Sequence, residues 1–318
     1  NDAEENVGIG YQALNALTGG QYNVAVGANA GDAITAGHNN IAFGANALLV
    51  ASTQDECVAI GKNALAGLNH DDADASIAIG YLAGESITSG IGNIAIGAYA
   101  LDANNTSDYN TVVGYQSGTN LTSTTANSGN TLIGYQAGLT ASSGFDFNVA
   151  LGYKALYTNN NSANTAIGYL AGEDLTGNNN VFIGKEAGKE AADVDGCVII
   201  GSGAGIGVMG SGADETVAIG KSALAALTGG TNIGIGLQAG ALLTTGTLNT
   251  IIGHQAFDAA GDDESWNVVI GAYAMGACDQ GSHANADIDA NVAIGYNALF
   301  GGDFGSSNKN LQSNVAVG

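Results

Sequence analysis

A β-branched residue, a small or apolar residue, a bulky apolar residue and a glycine follow one another eighteen times along this chain. The closing glycines are Gly10, Gly27, Gly44, Gly61, Gly80, Gly97, Gly114, Gly134, Gly152, Gly168, Gly184, Gly201, Gly220, Gly236, Gly253, Gly271, Gly295 and Gly318. They lie 16 to 20 residues apart through Gly271, then 24 and 23 apart. Each interval is therefore a strand-and-turn unit too short to bury a core alone. With the residue before the tetrad taken as position 1, clear units read NVGIGYQAL (6–14), NTAIGYLAG (164–172), NVFIGKEAG (180–188) and NVAIGYNAL (291–299). Position 1 is Asn in fourteen units, with Cys57, Ser76, Cys197 and Thr216 in the others. Position 8 is Ala apart from Ser117, and position 9 is Leu or Gly apart from Phe257 and Met275.

β-branched residues favour the extended backbone, and the turn chemistry that follows includes Thr18-Gly19, Thr88-Ser89-Gly90, Thr176-Gly177 and Thr228-Gly229. Positions 2 to 5 are thus predicted to form a short strand, and an apolar stretch of three or four residues before an obligate glycine is too short for a helix. The expected architecture is an all-β parallel β-solenoid of about 17 residues per coil, with roughly two short strands and their corners in each. It forms one array over residues 1–318, about 17 coils stacked into a rod on the order of 80 Å long. In a strand, positions 2 and 4 point one way and position 3 the other, and both faces here are apolar. The bulky position 4, as at Ile167 and Ile183, is assigned to the interior. Position 3, with its small side chains, is assigned to the outer face, where identical chains would cover it in a parallel homotrimer.

Asparagine at position 1, as at Asn6, Asn164 and Asn180, has two readings: an amide ladder from coil to coil, or a surface row of amides that binds sugar or ordered water. Glycine at position 5, as at Gly10, Gly168 and Gly184, signals a positive φ or a close backbone approach. The repeated Ile-Gly pairs are not phosphate loops, because none opens a helix or carries the lysine and hydroxyl signature.

The 51 glycines and absence of proline suggest low complexity, but the 45% hydrophobic residues sit at fixed positions, which disfavours disorder. Twenty-nine acidic residues stand against six lysines and no arginine, giving a net charge of −23. That balance excludes nucleic acid and anionic membranes as partners and keeps a long rod soluble. No apolar stretch reaches the length of a membrane span. The chain ends inside a repeat at Asn314–Gly318 and lacks an initiating methionine, so it reads as a segment of a longer protein. Cys57, Cys197 and Cys278 lie too far apart in repeat number to form a disulfide framework and are expected as buried thiols.

His38, His70, His254 and His283 lack metal-ligand spacing. Asp71, Asp72 and Asp74, and the pair Asp287 and Asp289, are candidate oxygen ligands for calcium, although acidic corners are ordinarily just hydrated. No other cofactor is expected. Among strand-flanking positions Glu186 stands alone, without the second carboxylate that glycoside hydrolysis needs, so the chain is not expected to be an enzyme. Tyrosine recurs at position 6, at Tyr11, Tyr81, Tyr115, Tyr135, Tyr153, Tyr169 and Tyr296, as packing over the glycine or as a glycan-binding stripe. Two long loops, 276–290 and 301–313, are candidate recognition elements, with Trp266, His283, Phe300 and Phe304 as their candidate binding residues.

The units resemble the head repeats of trimeric autotransporter adhesins and, more closely, the NTAIGYQAG-type repeats of phage tail fibres; residues 130–138 read NTLIGYQAG. The resemblance covers essentially the whole chain and implies a trimeric, left-handed parallel β-roll. It further implies an extracellular place, on a virion appendage or cell surface, and a role in reach and attachment. The expected function is a structural segment of a phage tail fibre or similar appendage, with identical chains as partners and a surface glycan or protein as receptor. The alternatives are the head of a bacterial trimeric surface adhesin and a polysaccharide-degrading tailspike.

Overall fold

The computed structural model describes residues 3–70, 73–103, 106–121, 129–140, 144–261, 263–278, 288–301 and 311–318. The chain forms two compact units, Asn1–Ala163 and Asn164–Gly318, each a parallel β-solenoid with about 17 residues per coil. In the first unit the strands are β1 (Val7–Ile9), β2 (Val24–Val26), β3 (Ile41–Phe43), β4 (Val58–Ile60), β5 (Ile77–Ile79), β6 (Ile94–Ile96), β7 (Thr111–Val113), β8 (Thr131–Ile133) and β9 (Val149–Leu151). Each pairs in parallel with the next, position for position: Val7 faces Val24, and Ile41 faces Val58. The second unit continues with β10 (Thr165–Ile167), β11 (Val181–Ile183), β12 (Val198–Ile200), β13 (Val217–Ile219), β14 (Ile233–Ile235), β15 (Thr250–Ile252) and β16 (Val268–Ile270). Then come β17 (Ile288–Asp289), β18 (Val292–Ile294), β19 (Leu311–Gln312) and β20 (Val315–Val317). The main ladder runs through β16, β18 and β20, while β17 and β19 form a second, two-stranded parallel ladder. Among the described residues the sole helical element is a 3-10 turn, Ser211–Ala213.

Outside that short second ladder, each coil carries one strand rather than two, because the rest of its perimeter turns too sharply. The glycine at position 5 has φ between +127° and +145°, and a Cβ at Gly184 would lie 2.7 Å from the Gly201 carbonyl. Glycine is therefore required there twice over, by conformation and by the approach of the next coil. Position 7 and position 9 are left-handed as well, as at Asn29 (φ 56°) and Leu48 (φ 49°). So is the residue just before position 1, here called position 0, as at Tyr22 (φ 60°) and Glu56 (φ 58°).

The interior assignment made from sequence is reversed in the structure. Position 3 is the buried one: Ala25, Ala59, Ala95, Phe182 and Ile199 are fully enclosed within the coil. Positions 2 and 4 point outward and are half-buried or exposed, Ile167 and Ile183 among them. A coil this narrow has no room for two bulky side chains per strand, so the single inward residue is mostly alanine. Position 8 lies inside too, and its alanine is enclosed from Ala30 to Ala274. Ser117 is accommodated there because its single hydroxyl proton has two acceptors in reach, the Leu132 and Ala137 carbonyls, both 3.2 Å from Oγ.

In many coils interior volume is traded between positions 3 and 9, although Ile251 goes with Phe257 and Val269 with Met275, all four buried, and Ala78 goes with Gly84. Where position 9 is Leu48, Leu65, Leu101 or Leu156, position 3 is alanine; where position 3 is Val112, Leu132, Phe182 or Ile199, position 9 is glycine. The Phe182 ring occupies the space that a Gly188 side chain would need, with Cε2 2.7 Å from that Cβ position. A second interior column, three residues after position 9, is filled by Leu68, Ile87, Leu121, Leu175, Leu227, Leu243 and Cys278.

The asparagines of position 1 join coil to coil. Asn6 Oδ1 accepts from the Asn23 backbone N–H (2.8 Å) and from Asn23 Nδ2 (3.0 Å), and Asn23 Nδ2 also donates to the Gly37 carbonyl (2.7 Å). The same exchange links Asn93 to Asn110 in the first unit and Asn164 to Asn180 in the second. With Asn23, Asn110, Asn164 and Asn180 no more than 1% exposed, these amides are spent on the fold and are not a binding row.

Candidate functional site

Because positions 2 and 4 project outward, each unit presents a continuous strand face of valine, isoleucine, threonine, leucine and phenylalanine without a charged residue. Ile9 is 59% exposed and Phe43 55%, and an apolar surface that runs on from coil to coil, unlike scattered single residues, marks an interaction face. Two columns of side chains border the face. Position 0, before the strand, bears exposed Tyr22, Tyr109, Phe147, Leu248 and Trp266. Tyr109 lies along the backbone of Gly92 in the preceding coil, its Cδ1 3.0 Å from where a Cβ would be. Position 6, after the strand, bears most of the tyrosines.

That second border forms a row in the first unit. Tyr81 and Tyr99 meet edge to face at 5.4 Å, Tyr99 and Tyr115 at 6.0 Å, and Tyr115–Tyr135 and Tyr135–Tyr153 stack in parallel at 5.8 and 5.1 Å. Parallel stacking turns each ring face toward its neighbour, so Tyr135 offers solvent an edge and a hydroxyl rather than the open face that a sugar ring stacks on. Tyr99 belongs to position 7, and its left-handed backbone (φ 59°) brings its ring into the position 6 row. Partial burial and the adjacent Tyr81 and Tyr115 phenols push the Tyr99 hydroxyl above its ordinary pKa. Lys154 Nζ closes the row, 5.9 Å from the Tyr153 ring and 4.5 Å from that of Tyr157.

The candidate calcium ligands divide. Asp71, Asp72 and Asp287 lie outside the described residues. Asp74 and Asp289 each use a carboxylate oxygen on backbone: Asp74 Oδ1 accepts from Asp55 N–H and Asp289 Oδ1 from Ser265 N–H, both at 2.7 Å. Asp55 and Asp214 do the same for His38 and Asp195, at 2.6 and 2.9 Å. The residue two before position 1 is thus a side-chain acceptor that ties its corner to the preceding coil, a role that reading the acids as merely hydrated missed. Among the described residues no three His, Cys, Asp or Glu side chains gather in a way that could hold a metal ion.

Glu186 pairs with Lys185 at 3.7 Å. Away from the strand-flanking positions, Glu85 and Asp102 form a pair of carboxylates one coil apart at position 10. Burial, and then the Glu85 charge, raise the Asp102 pKa, while Glu85 Oε1 accepts from Asn63 Nδ2 at 2.7 Å. Trp266 (57%) and Phe300 (54%) are exposed, and His283 and Phe304 lie outside the described residues, as do 279–287 and 302–310 of the two long loops. Cys57, Cys197 and Cys278 are free and buried; burial pushes the first two thiols up to about 11 and raises the third.

Asn6 and Gly10 in the first unit, and Asn164, Ile167, Gly168, Asn180, Ile183 and Gly184 in the second, hold equivalent places in the same repeated coil, with the asparagines bonded from coil to coil and the isoleucines on the outer face. No helix among the described residues is long and apolar enough to cross a membrane. The architecture is a parallel β-solenoid, compatible with the fibre and adhesin repeats that the units resemble; compared with known proteins, the chain matches no protein-family model and no curated protein.

Proposed function

We propose that the chain is a structural fibre segment that associates with copies of itself, as a parallel homotrimer, and gives an extracellular appendage its reach and its attachment to a surface. The observation that carries this reading is the uncharged apolar strand face in each unit, on a chain whose net charge is −23. Covering that face removes β-branched side chains from water at about 25 cal/mol per Å², and any other approach between copies brings acidic corners together. A second copy is the occupant that matches this face, because it presents the same side chains with the same spacing from coil to coil. The likeness of residues 130–138 to tail-fibre repeats favours a phage tail fibre, and the same face would serve the head of a bacterial surface adhesin.

The test is the mass of the purified chain by light scattering at micromolar concentration. Three times the chain mass is expected. A monomer that persists as concentration rises would overturn the reading.

A further inference from the structure

In several coils the two columns that border the strand face vary together. In the first unit, Lys62 at position 6 shares its coil with Glu56 at position 0; in the second, Lys221 shares its coil with Glu215. All four are exposed, and none makes an ion pair with another described residue of its own chain. Size varies in the same sense: Tyr22 goes with Ala28 and Trp266 with Ala272, and in reverse Gly129 goes with Tyr135. Other coils depart from this: those of Tyr109, Phe147 and Leu248 carry a large side chain on both borders and those of Gly92 and Gly196 a small one on both, Glu5 shares its coil with Tyr11, and Lys185, which shares its coil with Asn179, pairs with Glu186 of its own chain.

Residues of such a pair do not meet inside one chain. The extended stretch from position 1 to position 5 lies between them and, at about 3.3 Å per residue, holds the two borders more than about 10 Å apart. They do meet between copies related by a rotation parallel to the stacking direction. A closed rotation carries no translation along its axis, so each coil sits level with the same coil of the next copy. The position 6 border of one copy then faces the position 0 border of the other. An antiparallel pair would instead set position 0 against position 0. A shift of one coil would place Lys62 opposite Asn39 or Ala75 and Lys221 opposite Gly196 or Thr231, which carry no charge.

From this covariation we infer that copies of the chain assemble parallel and in register, with Lys62 against Glu56 of the partner subunit and Lys221 against Glu215 of the partner subunit. The inference rests on the self-association proposed above and adds its register. Exposed ion pairs contribute little affinity but discriminate between alignments, since a wrong register forfeits them and sets glutamate beside uncharged or acidic neighbours.

A mixture of isotopically light and heavy chains, assembled together, is treated with a carbodiimide, which condenses an amine and a touching carboxylate into an amide with loss of water. Mass spectrometry is expected to find Lys62–Glu56 and Lys221–Glu215 links that join a light peptide to a heavy one. In parallel, Lys221→Glu is expected to weaken assembly severalfold, seen as a shift of its midpoint to higher protein concentration, and adding Glu215→Lys in the same chain is expected to restore it. An assembled oligomer whose lysines link elsewhere, or an unrescued double variant, overturns the register and leaves self-association standing. A chain that stays monomeric overturns both.

Discussion

Cysteine in place of asparagine at position 1 leaves the chain's backbone bonded but empties part of the amide ladder. The Cys57 N–H still donates to Asn40 Oδ1 at 2.9 Å, and its thiol reaches only weakly toward the Ala73 carbonyl, Sγ to O 3.7 Å. An asparagine there would donate to both groups, so Cys57→Asn is expected to stabilise the fold by about 1 kcal/mol, read from a denaturant midpoint. The thiol also makes stability depend on pH. Its pKa rises from 9.0 unfolded to about 11 folded, so folding favours the protonated form. The stabilisation is complete below about pH 9 and is lost as pH climbs toward 11, a fall of about 3 kcal/mol. Cys57→Asn should flatten that part of the stability curve relative to the parent chain, and the native thiol should stay unreactive to alkylation at neutral pH.

At the scale of the coil, Phe182 and Ile183 are neighbours in sequence with opposite duties, and their substitutions separate folding from assembly. Phe182→Ala opens a cavity in the interior and is expected to cost about 3–5 kcal/mol of stability. Gly188→Leu in the same chain should recover part of that loss, because leucine already occupies the left-handed position 9 at Leu48 and Leu156. Ile183→Asp changes an outward side chain, so the thermal midpoint of the isolated chain should hardly move while its assembly is abolished; circular dichroism and light scattering read the two effects. The strand, its length and the glycine that ends it were legible from the repeat, since period and turn chemistry specify them locally. Which face turns inward was not legible from hydrophobicity, because positions 2, 3 and 4 are all apolar. Volume decides it. The alanines at positions 3 and 8 carried that information in the sequence, as did the exchange of bulk that couples Leu132 with Gly138 but Ala150 with Leu156.

For the whole chain, electrostatics oppose what the apolar faces favour. A net charge of −23 repels other copies, and salt shortens that repulsion to about 10 Å at 0.1 M. Assembly is therefore expected to strengthen between about 10 mM and 0.5 M sodium chloride, seen as a rising light-scattering mass at fixed protein concentration. A fall over that range would mean that the exposed lysine–glutamate pairs outweigh the general repulsion.

Within each unit, a coil bonds to the coils immediately before and after it. Gly27 N–H donates to the Ile9 carbonyl and Leu14 N–H to the Ala30 carbonyl, so almost every tertiary contact spans a single turn of chain. All-β proteins ordinarily fold slowly because distant segments must find one another, and here none need do so. As the chain leaves the ribosome, each new turn has a finished template one step behind it, and folding can advance like a zipper at the pace of synthesis.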